Sequence, residues 1–146
     1  KLLLLSPAGL SGKNPKIPWP INHFGAFFLS QPFVRRGLCR TAFADPTRNV
    51  GPAEEQIASI HIKVHGWQSS LAKFAAEGGV SDCGLPKPPQ AMKIIFGKYD
   101  RIIPEKEKNI TSKIYAREIQ IANNSGHLPH LEEPELVANS WLNFKE

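Results

Sequence analysis

Only two cysteines occur in the 146 residues, Cys39 and Cys83, far apart and without C-x-x-C spacing. That excludes a zinc ribbon and a disulfide framework, and fits a reducing, intracellular compartment. No stretch approaches the ~20 apolar residues a membrane-spanning helix needs. Lys1 followed by Leu2–Leu5 begins like a signal peptide, but Ser6-Pro7 ends the apolar run well short of an h-region. The triplets Asn109-Ile110-Thr111 and Asn123-Asn124-Ser125 match the glycosylation pattern, which carries meaning only in a secreted protein.

Charge of one sign is not concentrated either. The formal charge of +5 is spread along the chain, with acids interleaved at Glu105–Lys108 and Glu132–Glu135, so there is no basic stripe with aromatic platforms to hold nucleic acid. Gly12-Lys13 is followed by Asn14 and lacks the upstream glycine of a phosphate loop. His61 and His65 stand one helical turn apart, as in metalloprotease helices, but Ile62 occupies the place of the glutamate base and no third ligand is evident. No metal and no cofactor are expected.

What is there is an ordinary apolar fraction, enough for one core, punctuated by prolines at Pro15–Pro20 and Pro86–Pro89. Leu2–Leu5 is a continuous apolar run closed by Pro7 and Gly9, the pattern of a strand buried on both faces of a parallel sheet. Between Ile21 and Phe43 the phenylalanines Phe24, Phe27, Phe28, Phe33 and Phe43 accumulate without a clean period, which suggests short helices with a wide apolar face lining an apolar acyl pocket. Pro52 with Glu54 and Glu55 opens a helix that sets Ile57, Ile60 and Val64 on one face. A second helix runs from Trp67, burying Leu71 and Phe74, to Gly78-Gly79. The C-terminal part reads βαβα: strand Met92–Phe96, helix Glu105–Ile114, strand Glu118–Ala122, helix Pro134–Phe144. Strands joined by a crossover helix pair in parallel, so the fold class is α/β.

In open parallel sheets, ligands and catalytic groups collect beyond the carboxyl ends of the strands. Two loops fall there: Gly97-Lys98-Tyr99-Asp100-Arg101-Ile102-Ile103-Pro104, and Asn123-Asn124-Ser125-Gly126-His127-Leu128-Pro129-His130. Asp100 and His127 then sit on adjacent strand ends. A carboxylate beside an imidazole fixes the tautomer of the ring and stabilises the imidazolium it becomes on taking a proton. Asp100 by itself equally suits a turn or a helix cap before Ile102; the argument for chemistry is that two strand-end loops agree.

These loops resemble a known family. Phe96–Pro104 looks like the acid loop of the α/β-hydrolases, and Ser125-Gly126-His127-Leu128-Pro129-His130-Leu131-Glu132-Glu133-Pro134 like their histidine loop, in the family's order. Leu2–Gly9 resembles the strand that follows the nucleophile helix. Ser59–Gly79, with His65-Gly66-Trp67, resembles lid helices of plant and cyanobacterial members of that fold. The resemblance implies a partial α/β-hydrolase of about three parallel strands flanked by helices: core strand and exit loop over 1–15, helical lid insertion over 16–88, βαβα core over 89–146. It makes Asp100 the triad acid and His127 the general base, with Gly97 and Gly126 allowing tight turns, Pro104 and Pro134 starting helices, and His130 ordering its loop.

The nucleophile is what the resemblance does not find. Gly9-Leu10-Ser11-Gly12-Lys13 lacks the final glycine of G-x-S-x-G and follows the wrong strand, so Ser11 is a poor candidate. The expectation is a serine-type hydrolase of a small apolar ester or related carbonyl compound, this chain supplying acid and base and being inert by itself. An N-terminal half, or a docking protein, would pair at the open edge of Leu2–Leu5. The alternative is a non-catalytic, hydrolase-like structural or binding subunit of a larger assembly. Lyases and haloperoxidases share the scaffold, and fold does not name the substrate.

Overall fold

The computed structural model describes residues 1–10, 12, 14–80, 86–115 and 118–144. Three strands, β1 (Leu2–Leu5), β2 (Met92–Gly97) and β3 (Ile119–Ala122), form one parallel sheet in the order β1-β2-β3. Eight α-helices accompany them among the described residues: α1 (Ile21–Leu29), α2 (Pro32–Ala42), α3 (Pro46–Asn49), α4 (Pro52–Ser59), α5 (Trp67–Ala76), α6 (Glu105–Ile114), α7 (Pro129–Glu132) and α8 (Pro134–Leu142). Proline stands at the first position of α2, α3, α4, α7 and α8, where its missing N–H costs nothing and its fixed φ suits the helix. None of these helices is long and apolar enough to cross a membrane.

β2 is the centre of the sheet, and its sequence shows why: Ile94, Ile95 and Phe96 are fully buried, filling both faces. Met92, Ile94 and Phe96 point to one side, where they pack with Leu10, Ile103 and Tyr115, joined by Leu2, Leu4 and Ile119 from the flanking strands. Each such isoleucine or phenylalanine contributes roughly 1.5–3 kcal/mol relative to exposure. A second cluster, Cys39, Ala42 and Phe43 with Val50, Ala58, Ile102 and Leu128, ties α2 and α4 to the ends of the acid and histidine loops.

Several expectations are corrected here. Leu2–Leu5 is half-buried throughout, because β1 pairs only with β2 and forms an edge of the sheet. Ile57, Ile60 and Val64 do not make a buried helical face: α4 stops at Ser59, the chain tightens into a 3₁₀ turn at Ile60–Lys63, and all three are exposed. That break also removes the helical spacing of His61 and His65. Phe74 is 49% exposed; the residue α5 buries is Ala72. Its partner α1 likewise buries Asn22 and Ala26 and leaves Phe24, Phe27 and Phe28 exposed, and Asn22 Nδ2 donates to the Ala72 carbonyl at 3.1 Å. The two helices pack closely through small groups, so the large rings have no room between them.

Candidate active site at the carboxyl ends of β2 and β3

β2 and β3 are parallel neighbours in register from Ile94↔Ile119 to Gly97↔Ala122, so the loops that leave them emerge side by side. Backbone bonds lace the loops together: Lys98 N–H donates to the Ala122 carbonyl at 2.9 Å and Tyr99 N–H to that of Ser125 at 2.9 Å. Gly97 and Gly126 are needed for close approach, and neither adopts a left-handed turn. A Cβ on Gly97 would lie 1.8 Å from the Gly126 carbonyl oxygen, and one on Gly126 would lie 2.4 Å from that of Ala42. The tight turns expected there are replaced by a nest of three backbones that only glycine permits.

That nest brings Asp100 and His127 together. His127 Nδ1 lies 3.1 Å from Asp100 Oδ2, with the Asp100 side chain fully buried and the imidazole a quarter exposed. The other carboxylate oxygen, Oδ1, accepts from the backbone N–H groups of Ile102 at 2.8 Å and Ile103 at 3.1 Å. The turn-capping role and the histidine-facing role, which the sequence left as alternatives, are thus filled by two oxygens of one side chain. Burial pushes the Asp100 carboxyl up, but the hydrogen bond from His127 and those from the Ile103 and Ile102 N–H groups outweigh it, holding the group below the usual carboxylate range. Asp100 is therefore an anion at neutral pH. With Nδ1–H donated to it, Nε2 of His127 keeps the lone pair and can take a proton.

Two residues that sequence reasoning passed over hold the imidazole loop. Glu132 Oε2 accepts from Gly126 N–H at 2.7 Å, while its Oε1 accepts from Ala44 N–H at 2.9 Å and Asn49 Nδ2 at 3.1 Å. Glu133 Oε2 accepts from Asn124 N–H at 3.0 Å and from Ser125 Oγ at 2.6 Å. The backbone of His127 itself donates to the Ala42 carbonyl at 2.6 Å, and Arg101 Nη2 donates to that of Phe43 at 2.6 Å, so the end of α2 is bound to both loops. His130, expected to order the loop, is exposed on α7, and the two glutamates carry that task. The available signal was the pair of acids closing the histidine loop just before Pro134.

Ser6 is the one described non-glycine residue with positive φ, at 43°, and it is buried with its Oγ unpartnered. It is followed by an irregular segment and no helix, so it does not form a strand-to-helix nucleophile turn. Ser11 and Cys83 lie outside the described residues.

The fold has counterparts among solved structures. The chain superposes on an esterase from Exiguobacterium antarcticum with a TM-score of 0.67, at 17% identity, over 96% of its own length and 55% of the esterase. It matches the 2-hydroxy-6-oxo-6-phenylhexa-2,4-dienoate hydrolase of Rhodococcus sp. strain RHA1 with a TM-score of 0.64 at 16% identity, over 97% of this chain and 53% of that one. The fold is that of an α/β-hydrolase. An α/β-hydrolase fold protein from Burkholderia ambifaria also matches, with a TM-score of 0.61 at 15% identity, over 97% and 56% of the two chains. No protein-family profile matches the sequence, and no curated protein does. The chain spans just over half the length of these structures.

Proposed function

We propose that this chain supplies the acid and the base of a serine-type α/β-hydrolase acting on an ester or related carbonyl substrate, with Asp100 as triad acid and His127 as general base. The observation that carries the reading is the 3.1 Å contact between His127 Nδ1 and an Asp100 carboxylate whose second oxygen is already held by two backbone N–H groups. A carboxylate fixed in that way is kept from rotating away from the imidazole, and the backbone just before His127 is held by the Glu132–Gly126 hydrogen bond. Nε2 would take the proton of a serine hydroxyl as it attacks the carbonyl, and return it to the leaving alcohol.

The serine and the oxyanion donors would come from polypeptide pairing along the free edge of β1. In this division residues 1–15 form a core strand and its exit loop, 16–88 a helical lid, and 89–146 the core that carries the two loops. No described residue is called on to hold a cofactor. The test joins this chain to the sequence encoded upstream of it and assays hydrolysis of a chromogenic ester. His127→Ala is expected to lower kcat by about 10⁴-fold or more. Unchanged turnover in that variant would sink the mechanism.

A further inference from the structure

The phenylalanines expected to line an apolar pocket between Phe24 and Phe33 face outward instead. Ile21, Phe24 and Phe28 recur on one side of α1 with Phe27 beside them, while Asn22 and Ala26 occupy the side that packs on α5. Phe33, at the start of α2, meets Phe28 edge to face with ring centroids 6.1 Å apart, and Trp19 stands two residues before α1. These six side chains are between 54% and 76% exposed, which leaves on the order of 600 Å² of apolar surface open. A patch of that size on a folded protein marks a site of interaction.

The charge around the rings leans to one sign. Residues 1–44 contain six lysines and arginines and no aspartate or glutamate. Lys16 is exposed beside Ile17, whose N–H donates to the Ala75 carbonyl of α5 at 3.0 Å, and Lys73 is exposed on the same helix. Arg36 and Arg40 stand exposed on α2 and share one carboxylate, that of Glu55, at 3.8 and 3.5 Å, so positive charge remains in excess. A second copy of this chain would set cation against cation, which disfavours a symmetric contact. An anionic lipid surface meets both features, with an apolar interior for the rings and phosphates for the cations. α1 itself carries no lysine, arginine or acid, and its nine residues span about 13 Å. A helix of that kind lies flat in the headgroup layer with its outer face about 5–10 Å deep. Trp19, at its entry, is the amphipathic ring type that settles at headgroup level.

We infer that the outer face of α1, with Trp19 and Phe33, docks this protein on an anionic lipid surface. The rings enter the boundary between headgroups and acyl chains, and Lys16, Arg36 and Arg40 lie against the phosphates. The docking goes beyond the hydrolase reading and is independent of the chemistry proposed for Asp100 and His127.

The experiment uses this chain joined to the sequence encoded upstream of it, so that the open edge of β1 is not what adheres. It measures co-sedimentation with sucrose-loaded vesicles of phosphatidylcholine alone and of phosphatidylcholine mixed with phosphatidylglycerol. The joined protein is expected to bind the mixed vesicles about tenfold more tightly than the neutral ones, and less tightly as salt is raised. Phe24→Ser combined with Phe28→Ser should weaken binding to the mixed vesicles by about tenfold or more. Lys16→Gln should weaken it by about fivefold, the value of one cation near such a surface. Thermal melting checks that the variants fold, and Phe27→Ser combined with Phe33→Ser provides a second ring pair with the same expected loss. Failure of the joined protein to bind the mixed vesicles overturns the inference, and is the result expected if the added polypeptide or a second copy covers the rings. Equal binding to the two kinds of vesicle, or a folded ring-pair variant that binds like the parent, overturns it as well.

Discussion

Asp100 divides its two oxygens between structure and chemistry, and substitutions can separate the two. Asparagine keeps one oxygen for the Ile102 and Ile103 N–H groups but turns an amide N–H towards His127 Nδ1, forcing the wrong tautomer. Alanine removes both functions and leaves the part-buried Ile102 N–H and the buried Ile103 N–H without this acceptor, the latter at about 1–3 kcal/mol. Asp100→Asn in the joined protein is thus expected to cost about 10⁴ in kcat with little loss of melting temperature, and Asp100→Ala to lose both. The pH dependence follows the same carboxyl. Its folded-state pKa is lowered, so the stabilisation is fully present above the unfolded value of about 3.9 and is lost as pH falls through the folded one. Urea midpoints measured from pH 6 to pH 3 should fall more steeply for the parent chain than for Asp100→Asn; parallel curves would show that Asp100 contributes no such linkage.

At the scale of elements, the site is a junction of three backbones, α2, the loop after β2 and the loop after β3, and it tolerates no added carbon. Gly126→Ala places a Cβ 2.4 Å from the Ala42 oxygen and 2.8 Å from Ala44 N, both backbone atoms that cannot rotate away. It should destabilise the chain by about 1–3 kcal/mol or more, and lower kcat through the displaced histidine loop. Glu132→Gln should act on the same junction more gently, since an amide replaces one of the two oxygens that bind Gly126, Ala44 and Asn49; equal melting of Glu132→Gln and parent would exclude the clamp. Much of this junction was legible beforehand. Isoleucine-rich runs ended by Gly97 and by Asn123-Asn124 fix where strands stop, and the residues just after them must lie at the carboxyl edge. The role of the glutamates was not legible: their position before Pro134 marks the end of the histidine loop, but acids in a mixed-charge run look like a solvated face, and only the fold shows which segments their oxygens meet. The phenylalanines of α1 misled for a related reason: their number announces burial, but only tertiary packing through Asn22, Ala26 and Ala72 decides which face is turned inward.

For the whole molecule, the informative feature is the outer edge of β1. Leu2 and Ser6 direct their N–H groups inward, to the Ala91 and Ile95 carbonyls at 2.8 Å each. By the two-residue period of a strand, Leu3 and Leu5 then present theirs to the opposite side, where no described strand lies. Such an edge, four leucines long and without a charge, is a template for another strand. The 146-residue chain expressed by itself is therefore expected to self-associate, and light scattering should report a mass above that of a monomer. Leu3→Pro deletes an outward N–H without touching an inward bond, so it should shift the isolated chain towards monomer. In the joined protein the same substitution should instead weaken the docking of the added half and reduce ester turnover. A parent chain that is monomeric and highly heat-stable would show that the edge needs no partner, and would leave the source of the nucleophile to be sought elsewhere than along β1.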